Sequence, residues 1–295
     1  MLNDTLQGHL IAAFTITVWG ITFISTKILL TVLSPFEILA IRFALGYMAL
    51  WLAFPRWLPW QGARHELTFA LGGLTGILIY FLMENYALVL APASNVGIIV
   101  SLAPFFTVLF AHCIASRQEQ LHRNYFVGLV ISMVGVVLIG YNGMELGRSP
   151  LGDLCALGAA AMWGAYAVLT RNIANEGYNI IVATRRIFFY SLVAMLPVLG
   201  WLDFAPQWQD LASVTYLGNM LFLGLVASAL CYVTWNRAVS ILGALKTSAY
   251  IYGIPVITVI TAYIVLDEAI TLTSGTGAAL ALTGLVVAER RPRRD

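Results

Sequence analysis

Ten apolar runs divide the chain, at about 9–30, 36–54, 67–90, 93–115, 125–141, 151–170, 179–200, 213–236, 243–266 and 272–288. Runs of about 20 residues cross a hydrocarbon core about 30 Å thick as α-helices. A bilayer admits only helices or closed barrels, because lipid cannot satisfy a bare backbone, and these runs are too long and continuous for barrel strands. The pattern therefore predicts an all-α membrane protein with ten transmembrane helices. No connection exceeds about a dozen residues, which leaves no room for a soluble domain and puts function inside the bundle.

The pattern also repeats. LIYFLMENYALVLAPASNVGIIVSLAPFFT at 78–107 returns as ALCYVTWNRAVSILGALKTSAYIYGIPVIT at 229–258, aligning Asn85 with Asn236, Pro104 with Pro255 and Thr107 with Thr258. Trp19-Gly20 aligns with Trp163-Gly164, Lys27 with Arg171 and Arg42 with Arg186; Gly128 and Gly135 align with Gly277 and Gly284. Residues 1–143 and 144–295 are thus two copies of one five-helix unit. Five is odd, so the second copy crosses the membrane in the opposite sense: an inverted repeat.

Composition agrees. Sixty per cent of residues are apolar, 10% are charged and the mean hydropathy is +0.85, against about 25% charged residues in soluble domains. The net charge of +2 hides a positional bias. Arg56, Arg64, Arg117, Arg123, Arg171, Arg237 and the tail arginines 290, 291, 293 and 294 fall on the N-terminal side, and little beyond Lys27 and Arg148 on the other. Lys and Arg gather on the cytoplasmic side of short loops, so both termini are expected to be cytoplasmic. The first eight residues carry no Lys or Arg, and the first run is expected to be a retained span rather than a signal peptide. Cys113, Cys155 and Cys231 form no metal or redox motif. No Walker loop, serine elbow or paired-His signature occurs; no cofactor, enzymatic activity or nucleic-acid partner is expected. The expected partners are the bilayer and a small-molecule substrate.

Spans five and ten carry small residues on one stripe, Gly128, Gly135, Gly277 and Gly284, where helices can approach closely. They pack against each other or across a homodimer. Polar and aromatic residues collect in other spans: Trp19, Tyr80, Glu84, Asn85, Asn95, Ser101, Trp163, Trp235, Asn236, Tyr250 and Tyr252. Polar groups inside a bilayer tend to face a bundle interior or wet cavity, so these are the candidate substrate contacts. Tyr80 and Glu84 are one turn apart and share a face. A carboxylate at Glu84 could exchange protons or pair with a substrate ammonium. Stacking rings and a few amides suit a flat, partly apolar solute. Pro104 and Pro255 open the helical ladder and are candidate hinges; Arg42 and Arg186 are candidate gating or anion-attracting groups, with snorkelling to the surface as the alternative. Trp51, Trp57, Trp60, Trp201 and Trp208 lie near span ends and read as interface anchors.

These residues resemble the drug/metabolite transporter superfamily, specifically its EamA-type exporters. The resemblance rests on Trp19-Gly20 and Trp163-Gly164, on the 85–107 segment and its echo at 236–258, and on Glu119 and Glu268, each nine residues before a matched glycine. It covers essentially the whole chain. It implies two inverted five-helix repeats around a central cavity and alternating access in a bacterial inner membrane, and the segment MENYALVLAPASNVGIIVSLAPFFTVLF is most similar to the YddG-type branch, which exports aromatic amino acids. Export of aromatic or hydrophobic amino acids is the expectation. Export of drugs, or of small polar metabolites such as threonine or homoserine, is the alternative, and an intramembrane lipid-acting enzyme is the reading from another class.

Overall fold

The computed structural model describes residues 4–91, 93–114, 123–140, 149–200, 204–206, 208–266 and 271–289. Glu119, Glu268, Trp201, the side chains of Asn95 and Cys113, and several of the loop and tail charges used above lie outside the described residues. Among those described, every regular element is a helix. Spans one and two are Asp4–Leu29 and Pro35–Ala53, five is Arg123–Gly140, six and seven are Pro150–Asn175 and Ile180–Leu199, and ten is Leu272–Glu289. Seven helices are long and apolar enough to cross a membrane, and three shorter apolar helices complete the set. Several run past the apolar runs, span one from Asp4 and span six to Asn175, because hydropathy marks the hydrocarbon core while the helix continues through its polar margins. Side chains such as Leu52, Leu151, Leu196 and Val214 stand exposed on the outer surface, as lipid-facing positions do.

Span ends follow local chemistry. Ser34 opens span two with a capping box: its backbone N–H donates to Glu37 Oε2 at 2.8 Å, its hydroxyl accepts from the Glu37 N–H at 3.3 Å, and Pro35 follows, satisfying groups left over at a helix start. Spans eight and nine meet at one residue, Gly243, whose φ of 91° puts it in backbone space essentially open only to glycine.

The departures from α-helix recur at matched positions. Span three, Ala63–Gly73 and Tyr80–Leu90, is joined by a π-helical stretch at Leu74–Ile79, and span eight carries one at Phe222–Leu230 between Val214–Leu221 and Cys231–Leu242. Span four breaks between Ala93–Val100 and Ala103–Ile114; span nine passes through a 3₁₀ turn, Tyr250–Gly253, between Ala244–Ala249 and Ile254–Leu266. Each break lies just before its matched proline, which has no N–H to give the carbonyl four residues back.

The repeats interlock rather than forming two lobes. Spans one and two pack on spans eight and nine, while spans six and seven pack on three and four. Spans five and ten pack on each other along the small-residue stripe. A Cβ on Gly277 would sit 2.6 Å from the Gly135 carbonyl oxygen, and Ser132 Oγ donates to the Ala281 carbonyl at 3.0 Å. The stripe is occupied within the chain.

Candidate functional site

The Trp-Gly pair of each repeat sits where the two interlocked bundles meet. Gly20 faces span nine and Gly164 faces span four: a Cβ would lie 2.6 Å from Ile257 Cβ at the first and 2.7 Å from Phe106 Cβ at the second. Absence of a side chain brings each helix close, and the preceding tryptophan then points to the middle. Trp19 and Trp163 meet edge-on with centroids 5.0 Å apart, and Trp235 packs on both at 5.0 and 5.7 Å. Tyr166 and Tyr232 extend the cluster. The centre of the molecule is a layer of rings.

A cavity of about 40 Å³ lies against this layer. Half of its walls come in repeat-related pairs, Trp19 with Trp163, Phe81 with Tyr232 and Val100 with Ile251, so it adjoins the axis relating the two repeats. Thr22, Phe23 and Ile254 add to the lining. Two charged groups complete it, Arg42 and Glu84. Arg42 is seven residues past the start of span two and Glu84 six before the end of span three, so at 1.5 Å per residue both lie about 10 Å inside the face opposite the N-terminus.

The bonds within the site are specific. Tyr80 OH donates to Glu84 Oε1 at 3.0 Å, as their one-turn spacing allows. Arg42 Nε donates to Ser228 Oγ at 3.0 Å, and its guanidinium lies 4.3 Å from the Phe81 ring centroid, a cation–π distance. Trp19 Nε1 donates to the Ala227 carbonyl at 3.0 Å and Tyr232 OH to the Gly76 carbonyl at 2.7 Å. Buried Trp163 Nε1 has no acceptor among the described residues. A wall of π-faces with one cation and one carboxylate can bind a partly aromatic, charged solute, and this N–H lies buried beside it. Among the described residues no cluster of His, Cys, Asp or Glu could hold a metal.

Of the candidates from sequence, Trp19, Tyr80, Glu84 and Trp163 line this cavity. Trp235 lies behind them in the ring layer, fully buried. Asn95 lies outside the described side chains, and the other candidates point elsewhere. Asn85 Nδ2 donates to the Pro35 carbonyl at 3.0 Å, and Ser101 Oγ to the Gly97 carbonyl at 2.7 Å. Asn236 accepts from Tyr166 OH at 3.0 Å and donates to Thr184 Oγ1 at 2.9 Å. Tyr250 OH bonds His9 Nδ1 at 2.7 Å, and Tyr252 packs with Ile98, Val136 and Ala281 of spans four, five and ten. Bonds to other helices engage Asn85, Asn236 and Tyr250, while Ser101 bonds back within its own span and Tyr252 is held by packing. Pro104 and Pro255 follow the breaks already described, and the carbonyls four residues before them, those of Val100 and Ile251, belong to cavity-lining residues; Ile251 accepts instead from the Ile254 N–H of the 3₁₀ turn. Arg42 does not snorkel: it is 2% exposed. Arg186 instead pairs with Glu66 at 2.7 Å, joined by Tyr190 OH at 2.6 Å. Phe81, Tyr232 and Ser228 were missed, although the matched aromatics at 81 and 232 are a signal visible in the repeat alignment.

Comparison with known proteins gives the same outline. A solved crystal structure superposes with a TM-score of 0.76 over 98% of this chain and 99% of its own, at 23% identity, which bears on fold alone. An uncharacterized transporter of Archaeoglobus fulgidus is 24% identical over 289 residues, 97% of this chain and 100% of the relative. A probable terminal-alkyne amino-acid exporter of Streptantibioticus cattleyicolor is 27% identical over 231 residues, 78% of this chain and 75% of the relative. A probable amino-acid metabolite efflux pump of Escherichia coli is 24% identical over 295 residues, covering 95% and 94%. The EamA-like transporter family matches twice, over residues 6–141 and 150–289, once for each repeat read from the sequence. With that model covering both repeats of this helical bundle, the chain belongs to the EamA-like transporters of the drug/metabolite superfamily.

Proposed function

We propose that the protein exports aromatic or other hydrophobic amino acids across a bacterial inner membrane by alternating access, with both termini in the cytoplasm. The observation that carries this is the axial cavity, walled by Trp19, Trp163, Tyr80, Phe81 and Tyr232 and carrying Arg42 and Glu84 at one end. Aromatic walls bind a flat side chain through its faces, and charged groups at one end orient a polar head. The names of the exporter and efflux relatives support the amino-acid class, and inverted-repeat carriers bind near the midplane. The cavity as it stands is far smaller than the 300 Å³ or more of typical ligand sites, so a phenylalanine enters only when the ring layer parts.

That small volume also favours a second reading, a carrier for small polar amino acids such as threonine. Uptake of labelled phenylalanine into proteoliposomes, with and without a pH gradient and with threonine as competitor, separates the two. Saturable phenylalanine uptake resisting excess threonine supports the aromatic reading; threonine uptake without phenylalanine uptake replaces it. Dependence on the gradient identifies proton coupling, for which Glu84 is the candidate carrier.

A further inference from the structure

The two repeats provide an internal control on the cavity, because each group in it has a counterpart whose surroundings can be compared. Arg42 and Arg186 are matched. Arg186 is neutralised by Glu66, with two hydrogen bonds of 2.7 and 2.9 Å. The position matching Glu66 in the other repeat is Leu217, so Arg42 receives no such carboxylate. Among the described residues its one hydrogen-bond acceptor is Ser228 Oγ, which leaves most of its five N–H donors without a bond.

Trp163 is exposed to the same comparison. Its counterpart Trp19 donates to the Ala227 carbonyl, whose match is the Gly76 carbonyl. Tyr232 OH already occupies Gly76, and the residue matching Tyr232 is Phe81, with no hydroxyl to compete on the Trp19 side. One asymmetry, Phe81 against Tyr232, therefore leaves the Trp163 N–H free while the ring is only 4% exposed and lines the cavity. Glu84 is the third departure, matched by Trp235. It is 8% exposed, and Tyr80 engages one of its oxygens. Arg42 and Glu84 line the same cavity, yet the ion pairs among the described residues are Arg186 with Glu66 and His65 with Glu176.

We propose that these three departures from symmetry form a clamp for a zwitterion: Arg42 and the Trp163 N–H take a carboxylate, Glu84 takes an ammonium, and the rings take the side chain. The clamp rests on the function proposed above and specifies the headgroup. A buried charge without a hydrogen-bonded partner is costly, and Arg42 and Glu84, which line one cavity without forming one of the ion pairs just named, are both satisfied by a solute carrying both complements. An amine satisfies only Glu84 and an acid only Arg42. Leaving the other charge unpaired discriminates against each.

The test is thermal stabilisation of the purified protein titrated with phenylalanine, phenethylamine, 3-phenylpropionate and threonine. Phenylalanine is expected to bind at least about tenfold tighter than the amine or the acid, since a hydrogen bond to a charged group is worth that factor or more. Arg42→Gln is expected to erase the advantage over phenethylamine alone, and Glu84→Gln the advantage over 3-phenylpropionate alone. Trp163→Phe, which removes the N–H together with part of the ring face, serves if an Arg42 variant does not fold: it should weaken phenylalanine and 3-phenylpropionate more than phenethylamine. Wild-type protein binding amine or acid as tightly as phenylalanine, or variants weakening all ligands equally, would overturn the clamp while leaving the aromatic reading. Threonine binding with the same charge requirement, without phenylalanine binding, keeps the clamp and sinks the aromatic reading. Stabilisation by none of the four overturns both.

Discussion

Tyr232 decides how its neighbours are bonded without itself carrying charge. Its hydroxyl holds the Gly76 carbonyl, the position that Trp163 would use if the repeats were identical. Tyr232→Phe should let the Trp163 indole take that carbonyl, as Trp19 takes Ala227. One buried hydrogen bond then replaces another, so the thermal midpoint should change little. Affinity for phenylalanine should fall about three- to tenfold, the worth of one net hydrogen bond; an unchanged affinity would mean that the indole N–H has no part in binding. Sequence showed Trp19, Trp163 and the Tyr80–Glu84 turn, because mid-span rings and a carboxylate stand out against an apolar run. It did not separate them from Asn85, Ser101 and Asn236. Whether an amide faces a cavity or a neighbouring carbonyl depends on helix rotation, which a residue list does not contain. Tyr252 shows how local that rotation is: the 3₁₀ turn at Tyr250–Gly253 winds tighter than an α-helix, and Tyr252 ends against spans four, five and ten.

Among the elements, ten spans and their repeat were legible, as was the seam between spans five and ten, because small residues at spacings of three and four make a stripe on any helix. The seam yields a direct prediction. Gly135→Leu drives a side chain into the backbone at Gly277 and Ala281 and should destabilise the protein by about 3 kcal/mol, the upper range for overpacking, read as a lowered thermal midpoint. Gly275→Ala, in the same pair of helices but with nothing within 4 Å of the new Cβ, should be neutral or slightly stabilising, since alanine is the better helix former. Equal effects would deny that close approach is what the glycines provide. The breaks in spans four and nine were announced by Pro104 and Pro255. The π-helical stretches Leu74–Ile79 and Phe222–Leu230 were not, because an extra residue within a helical turn needs no special side chain. Interlocking of spans one and two with eight and nine was equally hidden, since apolar faces of similar helices do not name their partners.

At the scale of the whole molecule, the cross-links between the two interlocked bundles are unevenly placed. On the face carrying the N-terminus, Arg171 of span six donates to the Val239 and Ser240 carbonyls of span eight at 3.1 and 2.7 Å. Arg185 of span seven donates to the Phe54 carbonyl at 2.7 Å, and Asn236 bridges Tyr166 and Thr184 just inside. The counterpart of Arg171 is Lys27, and the carbonyls matching Val239 and Ser240 are those of Leu88 and Val89. Lys27 is exposed and, among the described residues, bonds neither. The structure is thus stitched shut at one face and less so at the other, with Arg42 and Glu84 on the less stitched side. The alternating access proposed above would rock one repeat against the other and exchange the surroundings of the matched cations. Lys27 should then reach Leu88 and Val89 while Arg171 lets go. Arg171→Ala removes two charge-assisted bonds, each worth about 1.5 kcal/mol or more, and should move the population toward the state open at the N-terminal face. With the native cysteines replaced by serine and a cysteine placed at Ala174, beside the small pocket that holds Asn236, labelling by a membrane-impermeant maleimide from that face should rise at least tenfold in the Arg171→Ala protein. Lys27→Ala should do the reverse. Labelling unchanged by both substitutions would show that these matched cations do not hold the two states.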